Sequence, residues 1–428
     1  MKGFSRYTRP MRFLALLLLA IASPAAPQAL QSPAEALAQD AAEYARQHHV
    51  EADEALRRLR AQEETVAVTD RLRATYAKRL AGIAIEHEPD YRIVVLLKGG
   101  RPVADQAAEA GGLAVPIHFS TDAPATRARI VRAIETRGER LRAAFPAARG
   151  MGADPRTGTL LLMLGDLPSD EALADAAERA ARIAGVPVTV RLVDRSADTS
   201  VEGGARVEGT DAVSGRRAVC TAGFVVSDGA RTGLVTAAHC PDVLIYREPG
   251  GGTAELPFLG QWGWSFQDVQ LNAVDGASEP IFYADEAKEA ARVPVATRSR
   301  AATRAGDFVC HRGERTGYSC GEIELTDFAP PGQLCGGPCA PSWVTVSGPG
   351  CGGGDSGGPV FAGTMAFGIM KGATWGKGGR CAFYYYMSLD YLPEGWRVAT
   401  AADPPSRWLS APEPATPAPS PDRPASIP

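Results

Sequence analysis

From about residue 30 to 195 the chain is rich in Ala, Arg and Glu, and apolar residues recur at helical spacing over 35–60 and 126–144. Residues 91–97 and 159–164, dominated by the apolar runs 93–97 and 160–164, read as strands, and 169–184 reads as a capped helix followed by a strand over 186–193. Together these elements predict an α/β unit over 30–200, long enough for its own core. Further on, 233–238 is another apolar run, and 265–271 alternates polar with apolar residues as a half-buried strand does. The last stretch, 401–428, is Pro, Ala and Ser-rich and cannot bury enough apolar surface to fold, so a disordered tail is expected there.

The N-terminus has a different pattern. Lys2, Arg6, Arg9 and Arg12 precede an apolar core over 13–22 that ends in the small residues Ala20-Ile21-Ala22. This is the layout of a signal peptide over 1–22, and the apolar run is short for a bilayer span. Export fits the cysteines, which number eight and all lie between Cys220 and Cys381. An even count in an exported chain implies disulfides, although eight cysteines allow 105 pairings. A net charge of −4 over 428 residues gives no reason to expect nucleic acid or a membrane surface as partner.

The candidate chemistry centres on Gly352-Gly353-Gly354-Asp355-Ser356-Gly357-Gly358-Pro359, where glycines would expose a serine hydroxyl on a tight turn. A hydroxyl needs a base to take its proton and an acid to orient that base. Of six histidines, only His239 and His311 share a region with Ser356, and His239 ends the apolar run 233–238. The candidate acids between them are Asp242, Asp268, Asp275, Asp285, Asp307, Asp327 and Asp355.

Leu234-Val235-Thr236-Ala237-Ala238-His239-Cys240 and Gly354-Asp355-Ser356-Gly357-Gly358-Pro359 resemble the signature blocks of chymotrypsin-fold serine proteases. The loop from Val309 to Cys320 is similar to that of the bacterial streptogrisin and alpha-lytic branch, with the same cysteine spacing. The resemblance covers residues 201–400 and implies two six-stranded antiparallel β-barrels, an all-β fold preceded by the α/β unit. It also implies a His239, Asp268 and Ser356 triad, Asp268 standing in an Asp-Val-Gln block of the family type. The backbone amides of Gly354 and Ser356 would form the oxyanion hole, and Met370, Lys371 and Gly372 would belong to a substrate-binding strand. The implied disulfides are Cys220–Cys240, Cys310–Cys320 and Cys351–Cys381, which leaves Cys335 and Cys339 to form a small ring. A metal site at that last pair would need a second free pair of ligands, so no metal or cofactor is expected.

The same resemblance makes 30–200 a pro-region that assists folding and inhibits the enzyme until removed, with the mature chain starting near 201–204. The expected partners are a polypeptide substrate, with apolar residues preferred before the cut, and the chain's own pro-region; a monomer is expected. Two departures from the family pattern stand out. His311 and Arg312 occupy the place of an arginine that anchors the aspartate before the serine, so one of them is expected to pair with Asp355. If it is His311, the loop would loosen as pH rises. Lys371 replaces a serine, so its side chain must turn away from Asp268 or compensate its charge. The rival reading is a secreted non-catalytic homologue that binds peptides or a partner protein. An esterase would share the triad but needs an acyl pocket or lid that the sequence does not display.

Overall fold

The computed structural model describes residues 30–403 apart from 168–171, 194, 199–204, 211–214, 216, 248–251, 263–266, 275–278, 332–338, 349, 377–378 and 401. The expected signal peptide, the expected start near 201–204, Cys335 and nearly all of the 401–428 tail lie outside the described residues.

The N-terminal half opens with α1 (Pro33–His48), α2 (Ala52–Glu64) and α3 (Val66–Thr75). A capping box starts α1: Glu35 N donates to Ser32 Oγ, and Ser32 N donates back to the Glu35 carboxylate. The helical period over 35–60 is broken at His49, which takes a left-handed conformation (φ 54°) and ends α1. Four strands follow, β1 (Leu80–Glu86), β2 (Arg92–Leu97), β3 (Gln106–Ala110) and β4 (Leu113–Ser120), hydrogen-bonded in the order β1-β2-β4-β3. A second layer comprises α4 (Arg127–Ala144), β5 (Ala148–Asp154), β6 (Thr159–Leu164), α5 (Leu173–Ala184) and β7 (Val188–Leu192). Its helices bury Ile130, Ile134, Leu141 and three alanines of α5 against Leu160, Leu162 and Leu164 of β6.

The C-terminal half is built of strands. They are β8 (Arg195–Asp198), β9 (Arg206–Thr210), β10 (Arg217–Thr221), β11 (Val225–Ser227), β12 (Thr232–Ala237), β13 (Leu244–Arg247), β14 (Thr253–Leu256), β15 (Phe258–Trp262), β16 (Val269–Ala273), β17 (Phe282–Tyr283), β18 (Ala291–Arg292) and β19 (Ala296–Thr297). After them come β20 (Phe308–Gly313), β21 (Gly317–Ala329), β22 (Trp343–Ser347), β23 (Pro359–Ala362), β24 (Met365–Trp375), β25 (Cys381–Ser388) and β26 (Arg397–Val398). Strands β20-β23-β24-β25-β22-β21 pair antiparallel in that order, and β21 pairs back to β20, closing a six-stranded barrel. Its interior is filled by side chains such as Val309, Val344, Phe367 and Tyr386, so it is a core and not a pore. The earlier strands form two antiparallel sheets, β10-β9-β13-β14 and β15-β16-β12-β11-β26; among the described residues their ladders do not close into a second barrel.

The two halves share one sheet. β5 pairs with β21 (Gly152 opposite Phe328, Met151 opposite Ala329), so β5, β6 and β7 continue the barrel wall. The Phe328 ring fits there because position 150 is glycine, at φ 146°; a Cβ on it would lie 2.4 Å from Cζ of that ring. Buried polar groups bridge the halves as well. Arg292 on β18, fully buried, donates from Nη1 to Asp40 of α1 at 3.0 Å, and Tyr318 Oη donates to the same carboxylate at 2.7 Å. The Gln62 side chain of α2 acts as a strand edge, accepting from Phe308 N (2.6 Å) and donating to Phe308 O (3.2 Å).

Removing one member of a fully buried ion pair leaves the other uncompensated, which costs about 3 kcal/mol or more. Asp40→Ala should therefore destabilise the full-length chain by about that amount in urea unfolding, and Asp40→Asn by less. A loss under about 1 kcal/mol for the alanine variant would show that the pair does not hold the halves together.

Candidate active site

Strand β12 ends at Ala237, and the chain leaves it held against the residue before β16. Ala238 N donates to Asp268 O (3.2 Å), and His239 N donates to Asp268 Oδ1 (3.0 Å). The other carboxylate oxygen, Oδ2, lies 3.0 Å from His239 Nδ1. Asp268 is almost fully buried and sits at φ 48°, a left-handed conformation that aspartate tolerates better than most residues with a Cβ. This conformation directs both oxygens toward one histidine. Burial pushes the Asp268 carboxyl up, but the Lys371 ammonium and His239 outweigh it and hold the group below its ordinary value.

Ser356 lies on a turn closed by Asp355 N to Gly352 O (3.3 Å) and Gly358 N to Asp355 O (3.0 Å). The turn is strapped to both neighbouring elements. Thr221 N donates to Ser356 O (2.7 Å), Gly357 N donates to Met370 O (2.6 Å), and Met370 N donates to Gly358 O (2.8 Å). Gly357 has φ 87°, and a Cβ there would fall 2.1 Å from Thr236 Oγ1, the hydroxyl that itself donates to Thr221 O. The close approach of the serine turn to the histidine strand therefore requires glycine at this position.

The serine hydroxyl donates to Lys371 O at 3.1 Å. His239 Nε2, the nitrogen that would serve as base, is buried and has no hydrogen-bond partner among the described residues. The structure thus brings His239, Asp268, Ser356 and Lys371 to one place, with His239 to Asp268 engaged and Nε2 open. Gly354, at φ 133°, and Ser356 carry the two expected oxyanion-hole amides on the same turn. Met370 sits within the barrel core, its backbone pairing with the serine turn, while Gly372 faces Asp198 of β8.

Asp355 is anchored differently from the expectation. It is fully buried, and it accepts from Gly352 N (2.8 Å), Arg315 N (3.1 Å), Thr316 N (3.2 Å) and Thr316 Oγ1 (2.7 Å). Gly313 makes room, since a Cβ there would meet the carboxylate at 2.0 Å. Arg312 Nη1 instead pairs with Glu314 at 2.8 Å. His311 reaches Asp355 only through the Thr316 hydroxyl, 3.3 Å from its Nε2. Burial pushes His311 below its ordinary value of 6.5, against the opposing pull of Asp355, so the buried ring favours its neutral form. The amides and hydroxyl that hold Asp355 carry no charge pattern in the sequence.

Disulfides join Cys220 to Cys240 beside His239, Cys310 to Cys320 across the β20–β21 hairpin, and Cys351 to Cys381 between the serine loop and β25. Cys339 is also disulfide-bonded, and its expected partner Cys335 lies outside the described residues.

A strand-built half with one closed barrel, a histidine–aspartate pair and a glycine-bound serine matches part of the arrangement that the resemblance to bacterial chymotrypsin-fold serine proteases implies; the second barrel of that arrangement is not closed among the described residues. Among curated proteins the chain is similar to streptogrisin-C of Streptomyces griseus, 29% identical over 223 residues, which are 49% of this chain and 45% of the relative. It thus spans less than half the length of that relative. Solved structures similar to it include Thermobifida fusca protease A (21% identity, TM-score 0.36, 47% of this chain and 98% of the other). Cellulomonas bogoriensis chymotrypsin is another (22%, TM-score 0.34, 47% and 98%). No family model matches the chain.

The neutral, buried His311 reverses the pH dependence expected from a charged anchor. A group with a depressed value contributes stability that is fully present above its ordinary value and lost as pH falls. Relative to His311→Gln, the unsubstituted chain should lose stability as pH drops below about 6.5, measured as urea midpoints across pH. A loss on raising pH instead would restore the charged anchor. Thr316→Val, which deprives buried Asp355 of its hydroxyl donor, should cost about 1–3 kcal/mol in the same experiment.

Proposed function

We propose that this chain is a secreted serine endopeptidase made as a preproprotein, with 1–22 as signal peptide, 30–200 as pro-region, 201–400 as the protease and 401–428 as a tail. The observation that carries the reading is the His239–Asp268 pair beside the strapped Ser356 turn, with His239 Nε2 left open. On this reading Ser356 Oγ attacks a peptide carbonyl while His239 Nε2 takes its proton. Asp268 holds the ring through Nδ1, and the amides of Gly354 and Ser356 meet the oxyanion. His239 then hands the proton to the leaving amine, and water releases the acyl group by the same steps in reverse. On this reading the two sheets β10-β9-β13-β14 and β15-β16-β12-β11-β26 correspond to the second barrel of the pair, although their ladders stay open among the described residues. The disulfides are consistent with an extracellular location.

On this reading the full-length chain inhibits itself. Gly372, Ala373, Thr374 and Trp375 of β24 already pair antiparallel with Asp198, Ala197, Ser196 and Arg195 of β8. A substrate that adds as a strand to β24 would compete for the same hydrogen bonds. Ser356 is fully buried as well. Removal of the N-terminal half would therefore free that strand. The rival, a non-catalytic homologue, is favoured by one observation, the lysine that stands against Asp268.

Intact-mass analysis of the secreted protein, unsubstituted beside Ser356→Ala, tests the reading. The unsubstituted chain should lose roughly two hundred N-terminal residues, a domain-sized piece, and then cleave casein and react with a fluorophosphonate at Ser356. The Ser356→Ala chain should keep those residues. Two full-length products together with an unreactive serine would instead establish the binding homologue.

A further inference from the structure

The strand that supplies the Ser356 partner carbonyl also supplies a charge. Lys371 of β24 is 2% exposed, and its Nζ lies 2.6 Å from Asp268 Oδ2 and 3.4 Å from His239 Nδ1. The Trp343 ring, centroid 5.6 Å from Nζ, lies beside the ammonium. The side chain has not turned away into solvent, and it meets the same carboxylate oxygen that receives the histidine. Resting on the protease reading above, we propose that Lys371 is a positioning residue that converts the histidine–aspartate pair into a buried lysine–aspartate–histidine cluster and so carries the enzyme's activity to lower pH.

The argument is one of charge. In a pair built only of aspartate and histidine, the carboxylate stabilises the imidazolium with its full negative charge. Here that charge is shared with the lysine ammonium on the same oxygen, and Nζ stands 3.4 Å from Nδ1 of the ring. A second positive charge on His239 is opposed by the first, because little water is present to screen the two. Among the described residues, the charged groups that contact the ring are Asp268, from the segment before β16, and Lys371, from β24. Next to it in the chain, Cys240 at the end of β12 is disulfide-bonded and does not titrate. Nor is the lysine a spare surface charge, since both it and Asp268 are 2% exposed.

Two neutral replacements separate charge from hydrogen bonding. Lys371→Ser restores a hydroxyl donor and Lys371→Met supplies neither donor nor charge. The rate of fluorophosphonate labelling of Ser356, followed from acid to neutral pH on the secreted protein, should show its acid-side half-point moving up by about one pH unit or more in both variants. A half-point that moves in Lys371→Met but returns in Lys371→Ser would reduce Lys371 to a hydrogen-bond donor and overturn the proposal, as would no movement in either. A second measurement needs no substitution at 371 and no catalysis. In 15N-lysine-labelled Ser356→Ala protein, Nζ of Lys371 should resonate as an ammonium coupled to a buried carboxylate at neutral pH, and a neutral amine there would overturn the charge argument. An unsubstituted protein that labels at no pH would sink the protease reading, and the lysine spectrum would still decide the ion pair.

Discussion

A carboxylate taken out of water must be compensated where it stands, and Asp268 is the group on which the candidate site depends. It is buried, left-handed at φ 48° and placed between two strands that do not pair with each other. Three contacts compensate the carboxylate, from the His239 amide, the His239 ring and the Lys371 ammonium, while the backbone carbonyl of Asp268 accepts from Ala238 N. The cost of burying a lone carboxylate is several kcal/mol, so these contacts are what permits the conformation. Because they come from the end of β12 and the middle of β24, satisfying Asp268 also brings together the first set of sheets and the closed barrel. The site is thus a structural joint between the two parts of the C-terminal half.

The same logic runs through the contact between the halves. Asp40, Arg292 and Tyr318 form one buried cluster, and Arg304 and Asp307 with Thr65 form another. Burial raises Asp40 above its ordinary value even though Arg292 opposes it, which marks a carboxylate that is under-compensated compared with Asp268. Such contacts specify one docked geometry more than they strengthen it, because desolvation consumes much of the attraction between the charges. The shared sheet adds direction: β5 extends the barrel at β21 while β8 lies along β24. An N-terminal half held this way meets the barrel wall along two separate strands.

The elements were legible in the sequence wherever one period dominated. Thr159–Leu164 is a strand as its apolar run predicts, and α4 is capped by Thr126, whose hydroxyl accepts from Arg129 N. The break at His49 was not legible, since a left-handed histidine leaves no mark in the hydrophobic pattern. In the site, Ser356, His239 and Asp268 stood out through motif resemblance. The lysine was visible as an anomaly, yet only the fold could decide between turning away and compensating. The anchor of Asp355 was misread because a sequence displays charged side chains and hides backbone amides, and three of the four donors to that carboxylate are amides.

The anchors of Asp355 and Asp268 show two solutions to one electrostatic problem within a few residues of the serine. Asp355 is held by neutral dipoles, so its environment is fixed by loop geometry and needs the space that Gly313 leaves. Asp268 is held by a cation and a titratable ring, so its environment changes whenever the ring gains a proton. Dipoles suit the residue that shapes the turn, which must not alter during a reaction. In the proposed reaction, a mixed set of partners would suit the residue that answers to a proton arriving at Nε2, and the identity of the cation would set how strongly it answers.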